Sequence, residues 1–291
     1  MSQNCMILFP NRADPAKGAL PGAVLSGPTW ALPLSNLQTR RLSQVARSLN
    51  TQPANTFFNV AMGGERQIKA LALIRHNLTV TASWRIRAWY TADGIANPVY
   101  DVTEDVYPSL GFTEDLPWES EAWWDGKPLS EELEGYTQLG IHIIPDYVSA
   151  PNWRIEIFDQ NNPAGFVEAG RLFMADGWQP SQNYAYGGSH GVETKTSVEE
   201  SLSGAEFFDR RQPYRVARIG FEYLDQDEAL LKGLDLQRRA GTDAEVLWIA
   251  SPGNRRTLTQ TSFIGRFRQL SAWEQVVFER ANIAFEIKEL L

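Results

Sequence analysis

Three features of the chain predict a mainly β protein with a single clear helix. First, residues 67–91 hold a nearly continuous apolar run, Ile68 to Arg75, followed by a strict alternation from Ala82 to Tyr90. The run suits a strand buried on both faces. The alternation puts Trp84, Ile86, Ala88 and Tyr90 on one side and Arg85, Arg87 and Trp89 on the other, as in a strand with one face in a core. Second, Pro10, Pro15, Pro21, Pro28 and Pro33 forbid long helices near the start of the chain. Third, only Asp225 to Ala240 combines a capping residue, an acidic first turn, a basic last turn (Arg238, Arg239) and a stopping glycine, Gly241.

The elements follow in order. Residues 1–56 read as an extended arm with short pairings, and Ser35 to Ser48 as a short helix or a structured loop. Thr56 to Met62 is a strand closed by Gly63 and Gly64. The two strands of 67–91 read as a hairpin, with His76, Asn77 and Thr79 as its turn. Residues 93–135 break the pattern, with Trp118, Trp123 and Trp124 among acids and prolines. A stretch of that length without regular elements is an insertion or a functional loop. Strands resume at Leu139 to Ile144, Trp153 to Phe158 and Phe166 to Met174, with a turn at Asp159 to Gly165. The glycines of 187–191 read as a linker, which places a boundary near 190 and a first domain over 57–190. Over 191–291, strands are expected at Gly191 to Phe208, Tyr214 to Tyr223, Glu245 to Ala250, Leu258 to Leu270 and Val276 to Ile287. Val216, Ile219 and Phe221 are expected in a core. The 225–240 helix shows an apolar face of Leu230, Leu231 and Leu234.

Composition narrows the function. The 291 residues carry a net charge of −8, unevenly spread. Residues 1–100 hold ten Lys and Arg against three acids, whereas 101–134 hold eleven acids against Lys127. That asymmetry suggests charge-complementary contact, and the acidic whole argues against nucleic acid as a partner. No apolar run approaches a membrane span. The start of the chain lacks the pattern of a signal peptide, so synthesis in the cytoplasm without export is expected. A lone cysteine, Cys5, excludes an intrachain disulfide.

Few residues invite chemistry. His76, His142 and His190 are scattered without metal-ligand spacing, so each is expected to be structural, with no metal or cofactor. Neither a Walker A nor a GxGxxG loop occurs. Glu119, Glu121 and Asp125 beside the tryptophans suggest a glycosidase pair, but so dense an acidic stretch supplies such pairs by chance. A non-enzymatic surface is the better expectation. Trp118, Trp123 and Trp124 are its candidate contacts, either with a glycan by ring stacking or with another protein.

Four stretches carry a family likeness. WALPLSNLQTRRLSQVARS (30–48), TFFNVAMGGERQIKALALIRHNLTVTASWRIRAWY (56–90) and DQNNPAGFVEAGRLFMADGWQPSQNYAYG (159–187) resemble tail proteins of long, non-contractile-tailed bacteriophages. SFIGRFRQLSAWEQVVFERANIAFEIKELL (262–291) is similar to the ends of the same proteins. The resemblance implies a galactose-binding-type jelly-roll sandwich over 57–190 and a β-rich, ring-forming assembly domain over 191–291. It implies a structural virion component at the tail tip or baseplate, a homo-oligomeric ring that contacts other tail proteins. The alternative it implies is a carbohydrate-binding adhesin for host surface glycans.

Overall fold

The computed structural model describes residues 4–17, 21–110, 117–119, 121–124 and 126–291. Among the described residues, nine strands precede residue 177: β1 (Met6–Leu8), β2 (Ala23–Ser26), β3 (Trp30–Leu32), β4 (Ala46–Ser48), β5 (Phe57–His76), β6 (Ser83–Trp89), β7 (Tyr100–Asp105), β8 (Leu139–Phe158) and β9 (Glu168–Ala175). Nine follow: β10 (Gly177–Trp178), β11 (Ser189–Glu193), β12 (Ser197–Glu200), β13 (Glu206–Asp209), β14 (Tyr214–Asp225), β15 (Val246–Ile249), β16 (Phe263–Gln269), β17 (Glu274–Val277) and β18 (Arg280–Glu289). The protein is mainly β, its strands antiparallel wherever a register is defined, with one principal helical segment over 226–240. By contacts it divides into two units. One holds Leu8–Gly177 and Ser251–Gln260; the other holds Asn4–Ile7, Trp178–Ala250 and Thr261–Leu291. No helix of the described residues is long and apolar enough to cross a membrane.

The first unit is a sandwich made by two long, bent strands. The sheet order is β3-β4-β9-β5-β8-β6-β7, with β2 added on β5. The register shows where it folds over. Phe57–Ala61 of β5 pair with Asn152–Glu156 of β8, and Ala70–Ile74 pair with Leu139–Ile143, with shifts between the two stretches. One layer is therefore β2, the first part of β5, the last part of β8, β6 and β7. The other is the first part of β8, the last part of β5, β9, β4 and β3. The bend in β5 falls at Gly63–Gly64, where Gly64 has φ 149° and Gly63 leaves no room for a Cβ against Pro21. Those glycines turn the strand between layers rather than end it. Between the layers Phe58, Trp84, Ile86, Leu71, Leu73, Trp153, Ile155, Leu172 and Met174 form one core.

The sequence periods set the faces correctly. Ala70 to Ile74 are buried on both sides, and Trp84, Ile86 and Ala88 are buried while their neighbours are not. On the outer face of β6, Arg85 pairs with Asp101 at 2.6 Å and Arg87 with Glu156 at 2.5 Å, cross-strand ion pairs of the kind a solvated sheet face carries.

The expected hairpin of 67–91 does not form. β8 lies between β5 and β6 and pairs with both. Residues 77–82 are instead an arch from one layer to the other. Buried Asp159 holds that arch: it accepts from the Thr79 N–H at 3.0 Å, the Thr79 hydroxyl at 2.7 Å and the Asn162 amide at 2.7 Å. Residues of the 1–56 arm enter the sheet as β2, β3 and β4. Fully buried Arg171 on β9 ties the arm down through Asp14 at 2.6 Å. Burial outweighs the Arg171 charge and pushes the Asp14 carboxyl above its usual range.

The second sheet runs β10-β1-β15-β16-β18-β14-β11, with β17 on β18. Val216, Ile219 and Phe221 are buried as expected. Residues 187–191 are not a linker throughout, because Ser189–Glu193 form β11 against β14. Leu258–Thr261 is a short helix, so the strand expected from Leu258 begins at Phe263. The Asp225 side chain caps the 226–240 segment through the Asp227 N–H, and Gly241, at φ 57°, stops it. Its buried face, however, is Ala229, Gly233, Leu236, Gln237 and Ala240, while Leu231 and Leu234 are exposed. These positions keep the i, i+4, i+7, i+8, i+11 period of one continuous helix face through the π-helical turn Ala229–Leu234, and it is the face on which Gly233 meets Ile283 and Trp178.

Candidate functional site

The acidic insertion brings the three expected tryptophans together. Trp118 and Trp123 meet edge to face with centroids 4.7 Å apart, and Trp123 meets Trp124 at 4.9 Å and 87°. Trp123, in the 3-10 turn Glu121–Trp123, is half-buried between its neighbours. Trp118 is 74% exposed and Trp124 83% exposed. Glu119 takes φ 59°, a left-handed conformation uncommon for a residue with a Cβ, and it turns the chain back between Trp118 and the 3-10 turn.

The cluster hangs from a fixed base. The Gly126 N–H donates to the Ala122 carbonyl, and the Leu110 N–H to the Gly126 carbonyl, both at 2.8 Å. Lys127 donates to the Asp105 carboxylate at the end of β7 (2.6 Å) and to the Tyr107 carbonyl (2.8 Å). Arg256 Nε donates to the Leu110 carbonyl at 2.9 Å. The insertion is thus tied to the sandwich beneath an open aromatic surface.

The described acids of the expected pair stand open to solvent. Glu119 and Glu121 are exposed, and Asp125 lies outside the described residues. Two-carboxylate hydrolysis needs an acid held protonated by desolvation, which an open surface does not provide. Exposed carboxylates can instead accept hydrogen bonds from ligand hydroxyls.

The histidines lie apart. His76 is buried against Tyr107, accepts from the Leu78 N–H, and is pushed down to about 3 by burial. His190 is exposed and stacks on the Trp248 ring. His142 closes a chain that sequence reading missed. Its Nε2 lies 2.7 Å from the Tyr100 hydroxyl and its Nδ1 2.5 Å from Glu104, which also accepts from Trp84 Nε1 at 3.3 Å. Burial, then the Glu104 charge, push the Tyr100 phenol up to about 12, so at neutral pH it remains a donor. The chain clamps edge strand β7 to β8. Tyr100 and Glu104 share a strand face by their even spacing, but nothing local announces His142. Another missed pattern is Gly187 to Gly191, GGSHG, which spells Gly-x-Ser-x-Gly. Ser189 and His190 stand in β11, not on the strand-to-helix elbow that this motif needs. No group of acids, histidines and cysteines suited to a metal occurs among the described residues.

No protein-family model and no curated protein matches the chain. Solved structures similar to it include the family 32 carbohydrate-binding module of Clostridium perfringens NanJ in complex with galactose. The two share 13% identity at a TM-score of 0.34, over 54% of this chain and 93% of that one. The family 32 module of AlyQ in complex with 4,5-unsaturated mannuronic acid matches with 11% identity and a TM-score of 0.33, over 52% and 92%. A truncated AlyQ with its family 32 module and alginate lyase domains matches with 10% identity and a TM-score of 0.35, over 81% and 54%.

Proposed function

We propose that the chain is a non-catalytic binding protein whose first unit holds saccharide on Trp118, Trp123 and Trp124. The observation that supports this is the exposure of Trp118 and Trp124 around a half-buried Trp123. Large apolar rings left in water at the tip of a tethered insertion favour stacking with the apolar face of a sugar. Covering about 200 Å² of these rings contributes roughly 5 kcal/mol before the cost of association. That cost absorbs most of this contribution, so a single site binds weakly and repeated copies add avidity.

Glycan arrays followed by calorimetry test the reading. The double variant Trp118→Ala/Trp124→Ala is expected to lose about tenfold or more in affinity while melting like the parent chain. Absence of glycan binding by the parent chain, or equal binding by the variant, would remove this function.

A second reading, the tail-tip or baseplate subunit, is favoured by the β12–β13 ribbon. All of its strand residues are exposed, and Val198, Phe207 and Phe208 stand in water. Apolar side chains on a two-stranded ribbon without a core beneath them suit burial by a neighbouring subunit. Light scattering and negative-stain imaging distinguish the readings. A closed ring, alone or with tail proteins, favours the assembly role, and a monomer under both conditions favours the glycan-binding role alone.

A further inference from the structure

The second unit holds a cleft of about 710 Å³ between the β12–β13 ribbon and the neighbouring parts of β14, β16 and β18. Its size falls in the range of small-ligand sites. Its charges do not balance. The two acids that line it are already engaged: Asp209 with Arg211 at 2.8 Å, and Glu289 with Arg215 at 2.5 Å. Lys195, Arg266 and Lys288 remain. Arg266 donates to the Thr242 carbonyl at 2.9 Å. Lys195 and Lys288 make no ion pair among the described residues; Lys288 sits over the Tyr214 ring at 4.1 Å. Burial, and then the charges of Lys195, Arg266 and Arg268, push the Lys288 ammonium below its ordinary range against the opposing pull of Glu193, which is itself ion-paired with Arg268. Cations gathered this way repel one another, and an anion among them relieves the repulsion.

We infer that this cleft binds a carboxylate-bearing saccharide of the uronate type, with Lys195 and Lys288 meeting the carboxylate and Ser197 and Gln212 meeting the ring hydroxyls. A hydroxyl and an amide each donate and accept, which is what a polyol requires and a simple inorganic anion does not. The cleft lies in the second unit, so the inference stands apart from the tryptophan surface of the first.

The test is calorimetric titration of the full chain with glucuronate, a galacturonate trimer, galactose and a hexaglutamate peptide. The uronates are expected to bind with roughly millimolar affinity, about tenfold tighter than galactose. Binding should weaken severalfold as salt is raised from about 0.05 to 0.5 M. Lys195→Gln/Lys288→Gln is expected to lose about tenfold in affinity with an unchanged melting curve, and Lys195→Gln alone serves if the double variant folds poorly. Trp118→Ala/Trp124→Ala should keep uronate binding, which separates this site from the other whether or not that one holds sugar. No uronate binding, binding indifferent to the lysines, binding lost with the tryptophans, or tighter binding of the peptide would each overturn the inference.

Discussion

Replacing Ile86 with aspartate tests the register of the first unit at its centre. Ile86 is fully buried, opposite Val102 on β7 and Ile155 on β8, with Trp84 and Ala88 beside it on the same face. Removing the isoleucine side chain forfeits about 2–3 kcal/mol of apolar burial. The new carboxyl must then be kept neutral at pH 7, about three units above its ordinary pKa, which costs roughly 4 kcal/mol. The total of roughly 6 kcal/mol is comparable with the whole stability of an ordinary domain. A urea titration followed by tryptophan fluorescence should therefore show the first unit largely unfolded at neutral pH. The sign with pH is also fixed. The folded-state pKa of this aspartate is raised above its unfolded value, so the penalty is absent below about pH 4 and grows as pH rises. The gap from the parent chain should narrow in acid. Thr103→Asp, on the exposed face of β7, is the control and should shift stability by no more than about 0.5 kcal/mol. If Ile86→Asp unfolds at the same denaturant concentration as the parent, the face assignment of β6 is wrong.

Other substitutions probe the arch, the acid limb and the second unit. Asp159→Ala strips three hydrogen bonds from the 77–82 arch and its anchor and should cost roughly 2–4 kcal/mol in chemical denaturation. His76 has a folded pKa near 3, below its unfolded value, so its contribution is present above about pH 6.5 and is lost as pH falls toward 3. Melting curves of His76→Leu should accordingly vary less between pH 7 and pH 4 than those of the parent. Glu289→Gln leaves Arg215 buried without its bidentate partner and should destabilise the second unit by roughly 3 kcal/mol, read as a shift of its transition alone.

What the sequence reveals here is orientation more than neighbourhood. The alternation of β6 and the unbroken apolar run in β5 identify the faces, because period two is a property of one strand by itself. The β8 residues that pair with β5 lie 65 to 99 residues further along the chain, and the polar residues His76, Asn77 and Thr79 look the same in an arch as in a hairpin. The limits of the 226–240 helix are legible from Asp225 and Gly241, but its buried face is not. That face is the one on which Gly233 packs against Ile283 and Trp178, contacts made with distant strands. The tryptophan surface is legible because its members lie within seven residues of one another. The Tyr100–His142–Glu104 chain and the cationic cleft are not, because each is assembled from strands far apart in the chain.

The long pairing of β5 with β8 bears on how freely the surface they carry can vary. That pairing joins Ile74 to Leu139, so β6, β7 and the whole acidic insertion form the loop it closes. Closure entropy grows only with the logarithm of loop length, by about 0.6 kcal/mol for each doubling. Residues can therefore be gained or lost between Tyr107 and Leu139 at small thermodynamic cost, provided that Lys127 keeps its anchor on Asp105. Folding pace is set elsewhere, by the distant strands that must find each other first. The sandwich thus leaves one segment free to change in length and composition without loosening the strands that carry it.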